Sequence, residues 1–257
     1  MKLHYVIYGE GPRQLVILHG MLGSERNWHT VARRLSNKFR LIVPDQRNHG
    51  VSPHHPEHSI EAMRQDLEEL IESLQLESFC LLGHSMGGHV AMNYAFLHPK
   101  RVRALVIEDI APRSYDTSLV GIIDAMSALD LSQFKAKKEV EKALEAGIEN
   151  PDVRNFVITN LVRDHDHLRW RINLDALRQF AAQEVVRFKA DPAWKYDGPT
   201  LFIGGAKSAY KVSDERNLIL EHFPKAQIAM VKNAGHWVHH EATDSFCRLV
   251  SGFLETR

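Results

Sequence analysis

The chain has 257 residues, a length that suits one large α/β domain or a domain with an insertion. Its 32 basic residues balance its 32 acidic ones, so no excess charge directs it to nucleic acid or to an anionic membrane. No apolar run approaches membrane-spanning length, and the N-terminal stretch lacks the apolar region of a signal peptide. With only two cysteines, Cys80 and Cys247, we expect free buried thiols and a cytoplasmic location, with no membrane span and no nucleic-acid partner.

Apolar runs alternate with helical periodicity through residues 1–112. An edge strand is predicted at 3–8, and the uninterrupted aliphatic runs after it are typical of parallel strands covered on both faces. Further strands are predicted at 15–18, 41–43, 79–82 and 102–107, and helices at 27–35, 60–74 and 89–97. Strands that alternate with helices in this way predict a parallel α/β sheet with right-handed crossovers.

The alternation stops between residues 113 and 196. Helical periodicity there predicts four helices, at 119–129, 131–148, 153–162 and 174–188, with a short extended stretch at 168–173. The sheet pattern then resumes, with strands at 199–204 and 228–231 and helices at 213–222 and 243–254. We therefore predict an α/β core of residues 1–112 and 197–257, and a helical cap of residues 113–196 over the carboxyl ends of the strands.

The stretch Gly83-His84-Ser85-Met86-Gly87 joins a predicted strand to a predicted helix. Strand, Gly-x-Ser-x-Gly and helix in this order are typical of a nucleophile elbow, a sharp turn that exposes the serine Oγ above the sheet. The glycines flank the serine where a Cβ would clash between the strand and the helix beside it. The N-terminus of that helix favours developing negative charge. Ser85 is therefore the predicted nucleophile.

A serine hydroxyl needs a general base, and in this arrangement the base is a histidine late in the chain. His236 follows the last predicted strand and can reach back over the end of the sheet, so it is the predicted base, with His239 and His240 as alternatives. An oxyanion hole needs backbone N–H donors aimed at the developing charge. The predicted donors are Met86, after the nucleophile, and Met21, in the loop after the strand at 15–18.

Motifs between residues 19 and 236 resemble those of the α/β-hydrolase superfamily. They are His19-Gly20, Asp45-x-Arg47-x-His49-Gly50-x-Ser52, Gly83-His84-Ser85-Met86-Gly87-Gly88 and Gly235-His236. A closer resemblance is to small bacterial carboxylesterases with a four-helix cap, and to the abhydrolase-domain-11 type of eukaryotic hydrolase. It is carried by residues 45–50, by the Gly-His-Ser-Met-Gly-Gly stretch at 83–88, and by Asp109-Ile110-Ala111-Pro112, Trp170-Arg171-Ile172-Asn173 and Gly235-His236-Trp237-Val238-His239.

The resemblance implies the α/β-hydrolase fold, a mostly parallel central sheet flanked by helices with an inserted helical cap. It implies a serine carboxylesterase that hydrolyses short-to-medium acyl esters or acyl thioesters through a covalent acyl-enzyme, without a metal or an organic cofactor. It also implies that Asp45, Arg47, His49 and Ser52 shape the floor and entrance of the site rather than react. The expected partner is a small-molecule ester or thioester, and the expected state is a monomer or weak dimer.

The acid of the triad departs from the usual pattern of the superfamily. In most relatives it follows the strand after the cap, but Ser208 stands there, and a hydroxyl cannot supply a negative charge. Some members take the acid from the end of the preceding strand, which here carries Glu108 and Asp109. Asp109 is the predicted acid, because the Ile-Ala-Pro that follows matches the small-esterase pattern. Glu108 would point to the other side of the strand, and Asp214 and Glu215 remain as alternatives.

Two other activities use the same scaffold, namely carbon–carbon bond hydrolysis or lyase chemistry on the same triad, and non-catalytic ligand binding. Ser85 excludes the relatives that use an aspartate as nucleophile. No metal site is expected, because the clustered histidines lie in polar loops without ligand spacing and are predicted to be solvated. These are His54, His55 and His58, together with His165 and His167.

Overall fold

The computed structural model describes residues 1–115, 119–183, 188 and 190–256. Seven strands of this part form one sheet in the spatial order β1-β3-β2-β4-β5-β8-β9, and two others form a separate two-stranded sheet, β6-β7. The strands are β1 (Tyr5–Tyr8), β2 (Arg13–Leu18), β3 (Phe39–Pro44), β4 (Phe79–His84), β5 (Val102–Glu108), β6 (Leu161–Asp164), β7 (His167–Trp170), β8 (Thr200–Gly205) and β9 (Ala226–Val231).

Only β1 runs antiparallel in the large sheet, where it pairs with β3; the other pairings are all parallel. The α/β-hydrolase fold with a mostly parallel sheet is therefore confirmed. The chain moves outward in opposite directions from β2, to β3 on one side and to β4 on the other. A crevice forms outside the carboxyl ends of the strands at such a reversal point, which is where α/β folds bind their ligands.

The sheet separates two hydrophobic cores, because successive side chains of a strand point to opposite faces. Along β2, Val16 and Leu18 pack into one core, and Leu15 and Ile17 into the other. Both faces are covered, which explains the uninterrupted apolar runs in the sequence. Cys80 lies in the second core, and burial raises its thiol pKa to about 11, so this thiol is inert.

The helices of the described residues are α1 (His29–Leu35), α2 (Ile60–Ser73), α3 (Met86–Leu97), α4 (Leu119–Ser127), α5 (Lys137–Ala143), α6 (Pro151–Ile158), α7 (Leu174–Ala182), α8 (Arg216–His222), α9 (Val238–Glu241) and α10 (Thr243–Leu254). The Ser59 side chain caps α2 by accepting from Ala62 N, at 3.1 Å. In the ranges described, no helix combines the length and the apolar character needed to cross a membrane.

The stretch between β5 and β8 differs from the four predicted helices. The helix predicted at 131–148 is wrong: a short 3₁₀ turn, α5 and a second 3₁₀ turn replace it, because Asp130 caps Ser132 and so starts a separate turn. The helix predicted at 153–162 begins at Pro151, behind the Asn150 cap, and ends at Ile158. Beyond it, β6 and β7 form an antiparallel hairpin that was predicted only in part. The end predicted for the fourth helix falls partly on residues 184–187, which lie outside the described residues.

Candidate active site

Ser85 lies between the end of β4 and the first residue of α3, half-buried, with φ 51° and ψ −118°. A non-glycine residue with positive φ is strained, and this strain is expected of an elbow serine. The neighbouring glycines are required by space: a Cβ on Gly83 would lie 2.2 Å from Gly87 O, and one on Gly87 would lie 2.5 Å from Leu18 O. Glycine thus allows the helix to return directly beside the strands.

Asp109 and His236 form a close pair at the same edge of the sheet. The carboxylate Oδ2 of Asp109 lies 2.7 Å from the Nδ1 of His236, and Asp109 is fully buried while His236 is about one-fifth exposed. The other carboxylate oxygen, Oδ1, accepts from the backbone N–H of Gly205 at 2.9 Å. Asp109 itself has φ 51°, which directs its side chain out of the strand toward the end of β8. A fixed carboxylate therefore orients the imidazole through Nδ1.

Ser208, at the position where an acid is usual, contacts the predicted acid Asp109 directly. Its hydroxyl donates to the Oδ2 of Asp109, and its Oγ accepts from the backbone N–H of Tyr210 at 3.1 Å. The two alternative acids lie elsewhere: Asp214 is exposed, and Glu215 pairs with the Arg113 guanidinium at 2.6 Å. The structure thus joins His236 to Asp109 and to neither alternative.

A second histidine–carboxylate pair, Glu108 and His239, lies next to the first. Glu108 is fully buried, and its Oε1 accepts from the backbone N–H of His239 at 2.8 Å and lies 2.9 Å from His239 Nδ1. The neighbouring His84 donates through Nε2 to the carbonyl oxygen of His236 at 3.0 Å. Burial, together with the adjacent His236 and His239, holds the pKa of His84 well below its usual value, so its ring is neutral.

His84, Glu108 and His239 also form a group with the composition of a metal site, since their ligand atoms lie within 4.8 Å of one another. All three are buried, and their polar atoms already bind one another and the backbone of the His236 loop. These hydrogen bonds explain why the three side chains lie together: they support the loop that carries His236. Sequence reasoning considered Glu108 and His239 separately and missed the pair. The available signal was that two successive acids at 108 and 109 can each bind one of two histidines at 236 and 239.

Of the two predicted oxyanion donors, Met86 directly follows the serine in the chain, and Met21 lies in the loop after β2. The loop with Met21 approaches closely, because a Cβ on Gly20 would lie 3.2 Å from the Cβ of Ser85. In the described ranges neither the N–H of Met21 nor that of Met86 donates a hydrogen bond. At Met86 this follows from its place in the first turn of α3, where helical N–H groups have no partner within the helix.

Comparison with known proteins identifies the family of the chain. Residues 14–143 match the family described as alpha/beta hydrolase fold. The chain belongs to the α/β-hydrolase family. The mouse (Mus musculus) sn-1-specific diacylglycerol lipase ABHD11 is 38% identical over 250 residues, which cover 93% of this chain and 80% of that protein. Esterase YbfF of Escherichia coli (strain K12) is 33% identical over 241 residues, covering 93% and 92%.

A solved structure described as a marine microorganism esterase superimposes on this hydrolase with a TM-score of 0.94, at 36% identity, covering 98% of this chain and 99% of that one. Family membership together with these esterase and lipase relatives identifies the chain as an ester-hydrolysing enzyme. The resemblance read from the motifs is thereby confirmed.

The loop between β3 and α2 is structural in this hydrolase, as the resemblance implies. Asp45 accepts from the backbone N–H groups of Glu25 and Val51, each at 2.8 Å, and the guanidinium of Arg47 binds Asp66 through two hydrogen bonds of 2.6 and 2.9 Å. Ser52 and His49 are also occupied: the Ser52 hydroxyl donates to Asp45 O at 2.6 Å, and His49 Nε2 accepts from Leu22 N at 3.1 Å. These side chains are therefore held in place within the loop by hydrogen bonds.

The same loop also contacts the segment between β5 and β8. Asn48 accepts from Asn173 twice, through its backbone oxygen and through its side-chain oxygen, each at 3.0 Å. Close by, the side chain of Asn160 donates to Leu22 O at 2.8 Å, and Leu22 N in turn donates to His49 of the same loop. The Asn173 of the Trp-Arg-Ile-Asn motif therefore joins the start of α7 to the loop at the carboxyl end of β3.

His58 corrects the prediction that the clustered histidines are solvated. It is buried, edge-on to Phe180 of α7 at a ring distance of 4.9 Å, with Nδ1 3.3 Å from the side chain of Asn48. Burial, the nearby Arg47 cation and His19 lower its pKa to about 3. The sequence did not indicate the burial of His58, because Phe180, which packs against it, lies 122 residues further along the chain. The remaining four, His54, His55, His165 and His167, are exposed.

Tyr210 is a residue of the site that sequence reasoning missed. Its ring stacks on that of His236, with centroids 4.2 Å apart and planes 15° apart. Trp237, the residue after His236, contacts Phe156 of α6 at a ring distance of 5.1 Å. No local pattern marks Tyr210, because its role depends on how the loop after β8 folds back over the end of the sheet.

Proposed function

We propose that this enzyme is a serine carboxylesterase that cleaves short-to-medium acyl esters through a covalent acyl-enzyme on Ser85. His236 is the general base and Asp109 the acid that orients it. The backbone N–H groups of Met21 and Met86 form the oxyanion hole. The observation that carries the proposal is the 2.7 Å contact between Asp109 and His236, beside a serine in a strained elbow.

In the first step the Oγ of Ser85 attacks the ester carbonyl carbon while Nε2 of His236 takes the hydroxyl proton. The Asp109 carboxylate accepts a hydrogen bond from the Nδ1–H of His236 throughout, and its negative charge stabilises the imidazolium that forms. The proton then passes from His236 to the departing alcohol oxygen as the ester C–O bond breaks. A water molecule repeats the sequence on the acyl-enzyme, releasing the acid and restoring Ser85.

The negative charge of each tetrahedral intermediate falls on the former carbonyl oxygen. The free N–H groups of Met21 and Met86 are suited to bind it, because donors already in place need no reorganisation as charge develops. The N-terminal end of α3 adds its partial positive charge at the same point. Removal of one such donor typically costs about 10²–10³ in kcat.

We propose further that residues 113–196 serve as a cap whose apolar underside selects the acyl group. The contacts of Asn160 and Asn173 with the loops after β2 and β3 support this, as does the packing of Phe156 on Trp237 beside the base. The mouse relative is named for diacylglycerol, so glycerol esters belong in the substrate panel, and acyl thioesters belong there as well.

The proposal is tested by labelling and turnover together. The purified protein is treated with a fluorophosphonate, and the modified residue is located by mass spectrometry. Turnover is measured on p-nitrophenyl esters of increasing acyl length, on monoacyl and diacyl glycerols and on acyl thioesters. Modification of Ser85, with turnover highest on one range of ester lengths, is the expected result.

Ser85→Ala should fold normally, resist labelling and lose several orders of magnitude in kcat. Ser73→Ala, which changes an exposed serine at the end of α2, is the matched control and should behave as the unmodified enzyme. Ester turnover by Ser85→Ala close to that of the control would refute the covalent role. Activity on dienone substrates in place of esters would favour carbon–carbon bond hydrolysis.

A further inference from the structure

Asn160 contacts the loop that carries the proposed oxyanion donor Met21. It follows α6, is 2% exposed, and its side-chain amide donates to the carbonyl oxygen of Leu22, one residue beyond Met21, at 2.8 Å. Its backbone is held as well, since its N–H donates to Val157 O at 3.0 Å and its carbonyl oxygen accepts from Arg171 N at 2.8 Å. A buried amide fixed in this way restrains the loop that it binds.

A path of hydrogen bonds leads from Asn160 to the peptide unit of the Met21 N–H. The carbonyl of Leu22, which accepts from Asn160, belongs to the same peptide unit as the N–H of Gly23. That N–H donates to Gly20 O at 3.1 Å, and the carbonyl of Gly20 shares its peptide unit with the N–H of Met21. The C=O and N–H of a planar trans peptide point in opposite directions, so the Met21 N–H lies at the far end of the path.

The turn on this path is strained at Leu22. The hydrogen bond between Gly23 and Gly20 closes a β-turn in which Leu22 has φ 61°. A positive φ at that place is typical of a type II turn, which favours glycine there. Leu22 adopts it with both polar backbone groups bound, because its N–H donates to His49 Nε2 at 3.1 Å and its carbonyl accepts from Asn160. Loss of either bond removes a restraint that keeps this residue in its strained conformation.

Two buried histidines hold the same loop from the core. The Nδ1 of His19 donates to Gly20 O at 2.8 Å, and the Nε2 of His49 accepts from the N–H of Leu22. Burial holds the pKa of both histidines below its usual value, so both rings are neutral and each has one nitrogen free to accept. The core thus supplies part of the restraint, and Asn160 supplies a part that depends on the segment between β5 and β8.

We propose that Asn160 is a positioning residue of the oxyanion hole, which aligns the Met21 N–H through the Leu22–Gly23 and Gly20–Met21 peptide units. The inference rests on the function proposed above. Each hydrogen bond in such a chain polarises the next, so the bond from Asn160 also strengthens the Met21 N–H as a donor. The oxyanion hole is then complete only while the segment between β5 and β8 lies against this loop, which ties hydrolysis to the position of the proposed cap.

A trifluoromethyl ketone measures this alignment, because its adduct places a negative charge in the hole. The Oγ of Ser85 adds to the ketone carbonyl carbon, its proton passes to His236, and the carbonyl oxygen becomes the oxyanion. Asn160→Leu removes the amide donor and keeps nearly the same side-chain size. Because His19 and His49 remain, we expect a loss of about 10-fold, less than the roughly 10²–10³ that removal of a whole donor causes. The kcat for a p-nitrophenyl ester should fall and the Ki of the ketone rise by that factor, with KM changed by less than about two-fold.

Asn155→Leu is the matched control, because it makes the same change at an exposed position of α6 and should leave kcat, KM and Ki unchanged. Asn173→Ala breaks another contact of the same segment, the one with Asn48, and leaves the path to Met21 intact. It should therefore not raise Ki relative to KM. Thermal unfolding checks each variant, and Asn160→Ala, which leaves space in place of an apolar side chain, should give the same rise in Ki relative to KM if Asn160→Leu does not fold.

The two levels of inference fail in different ways. If Ser85→Ala is still active, the proposed function is wrong whatever Asn160 does. If Ser85→Ala is inactive and Asn160→Leu keeps the kcat and Ki of the unmodified enzyme, only the role of Asn160 is wrong. Equal rises in Ki and KM would overturn that role as well, because Asn160 would then contribute to acyl binding alone. So would a rise of Ki relative to KM in Asn173→Ala as large as that in Asn160→Leu, because the effect would then come from any displacement of the segment.

Discussion

Asp109→Asn tests most directly the proposal that Asp109 is the acid of the triad. Asparagine has nearly the same size as aspartate and tolerates the left-handed φ of 51° found at this position, so the fold should be retained. The surroundings determine how the new amide orients: Gly205 N–H donates to the Oδ1 position at 2.9 Å, and this contact needs an oxygen. The NH₂ group is therefore placed at the Oδ2 position, facing His236.

This orientation sets the size of the expected effect. An NH₂ group directed at Nδ1 of His236 requires that nitrogen to accept, which moves the imidazole proton to Nε2. The base then presents a proton to Ser85 where it should receive one. The same change of tautomer in other serine hydrolase triads costs on the order of 10⁴ in kcat, and we expect a similar loss here.

The assay is p-nitrophenyl ester turnover, with thermal unfolding as the check on folding. Ser208→Asp added to Asp109→Asn should recover part of the loss, because Ser208 Oγ already contacts the Oδ2 position and a carboxylate there lies near His236. Asp214→Asn, which changes an exposed acid, is the control and should be fully active. Near-normal turnover in Asp109→Asn, with activity abolished in Asp214→Asn or in Glu108→Gln, would refute the assignment.

Three further changes have expected outcomes. His58→Leu should make the free energy of unfolding fall less steeply toward low pH. The pKa of His58 is about 3 in the folded protein and 6.5 in the unfolded chain, so its neutral form contributes stability that is present above pH 6.5 and lost toward pH 3, at most about 5 kcal/mol. Urea unfolding measured at several pH values would contradict this if the unfolding free energy of the variant depended on pH as steeply as that of the unmodified protein. Gly83→Ala should prevent correct folding of the elbow, since its Cβ would meet Gly87 O at 2.2 Å; an active, fully labelled variant would show that the strand can shift. Phe156→Ala should change the preferred acyl length in the ester series, because Phe156 contacts Trp237 beside the base, and an unchanged preference would place acyl selection elsewhere.

The amino-acid sequence by itself determined the sheet and the position of the elbow that carries the proposed nucleophile. Parallel strands buried on both faces need uninterrupted apolar runs, and the elbow needs glycines where a Cβ would lie 2.2–2.5 Å from backbone oxygens. Both are local requirements, so they are visible in short stretches of chain. The sequence also showed a serine, Ser208, at the position where an acid is usual, and this favoured Asp109 as the acid.

Only the tertiary structure decided which polar groups meet. Glu108 and Asp109 are neighbours in the chain, yet each binds a different histidine, His239 and His236, because side chains on either side of the strand end point apart. The β6–β7 hairpin forms although its residues have helical periodicity in part, since pairing with a second strand depends on residues outside any short window. Tyr210 joins the site for the same physical reason: a contact between distant segments depends on how loops pack over the sheet, which local sequence does not encode.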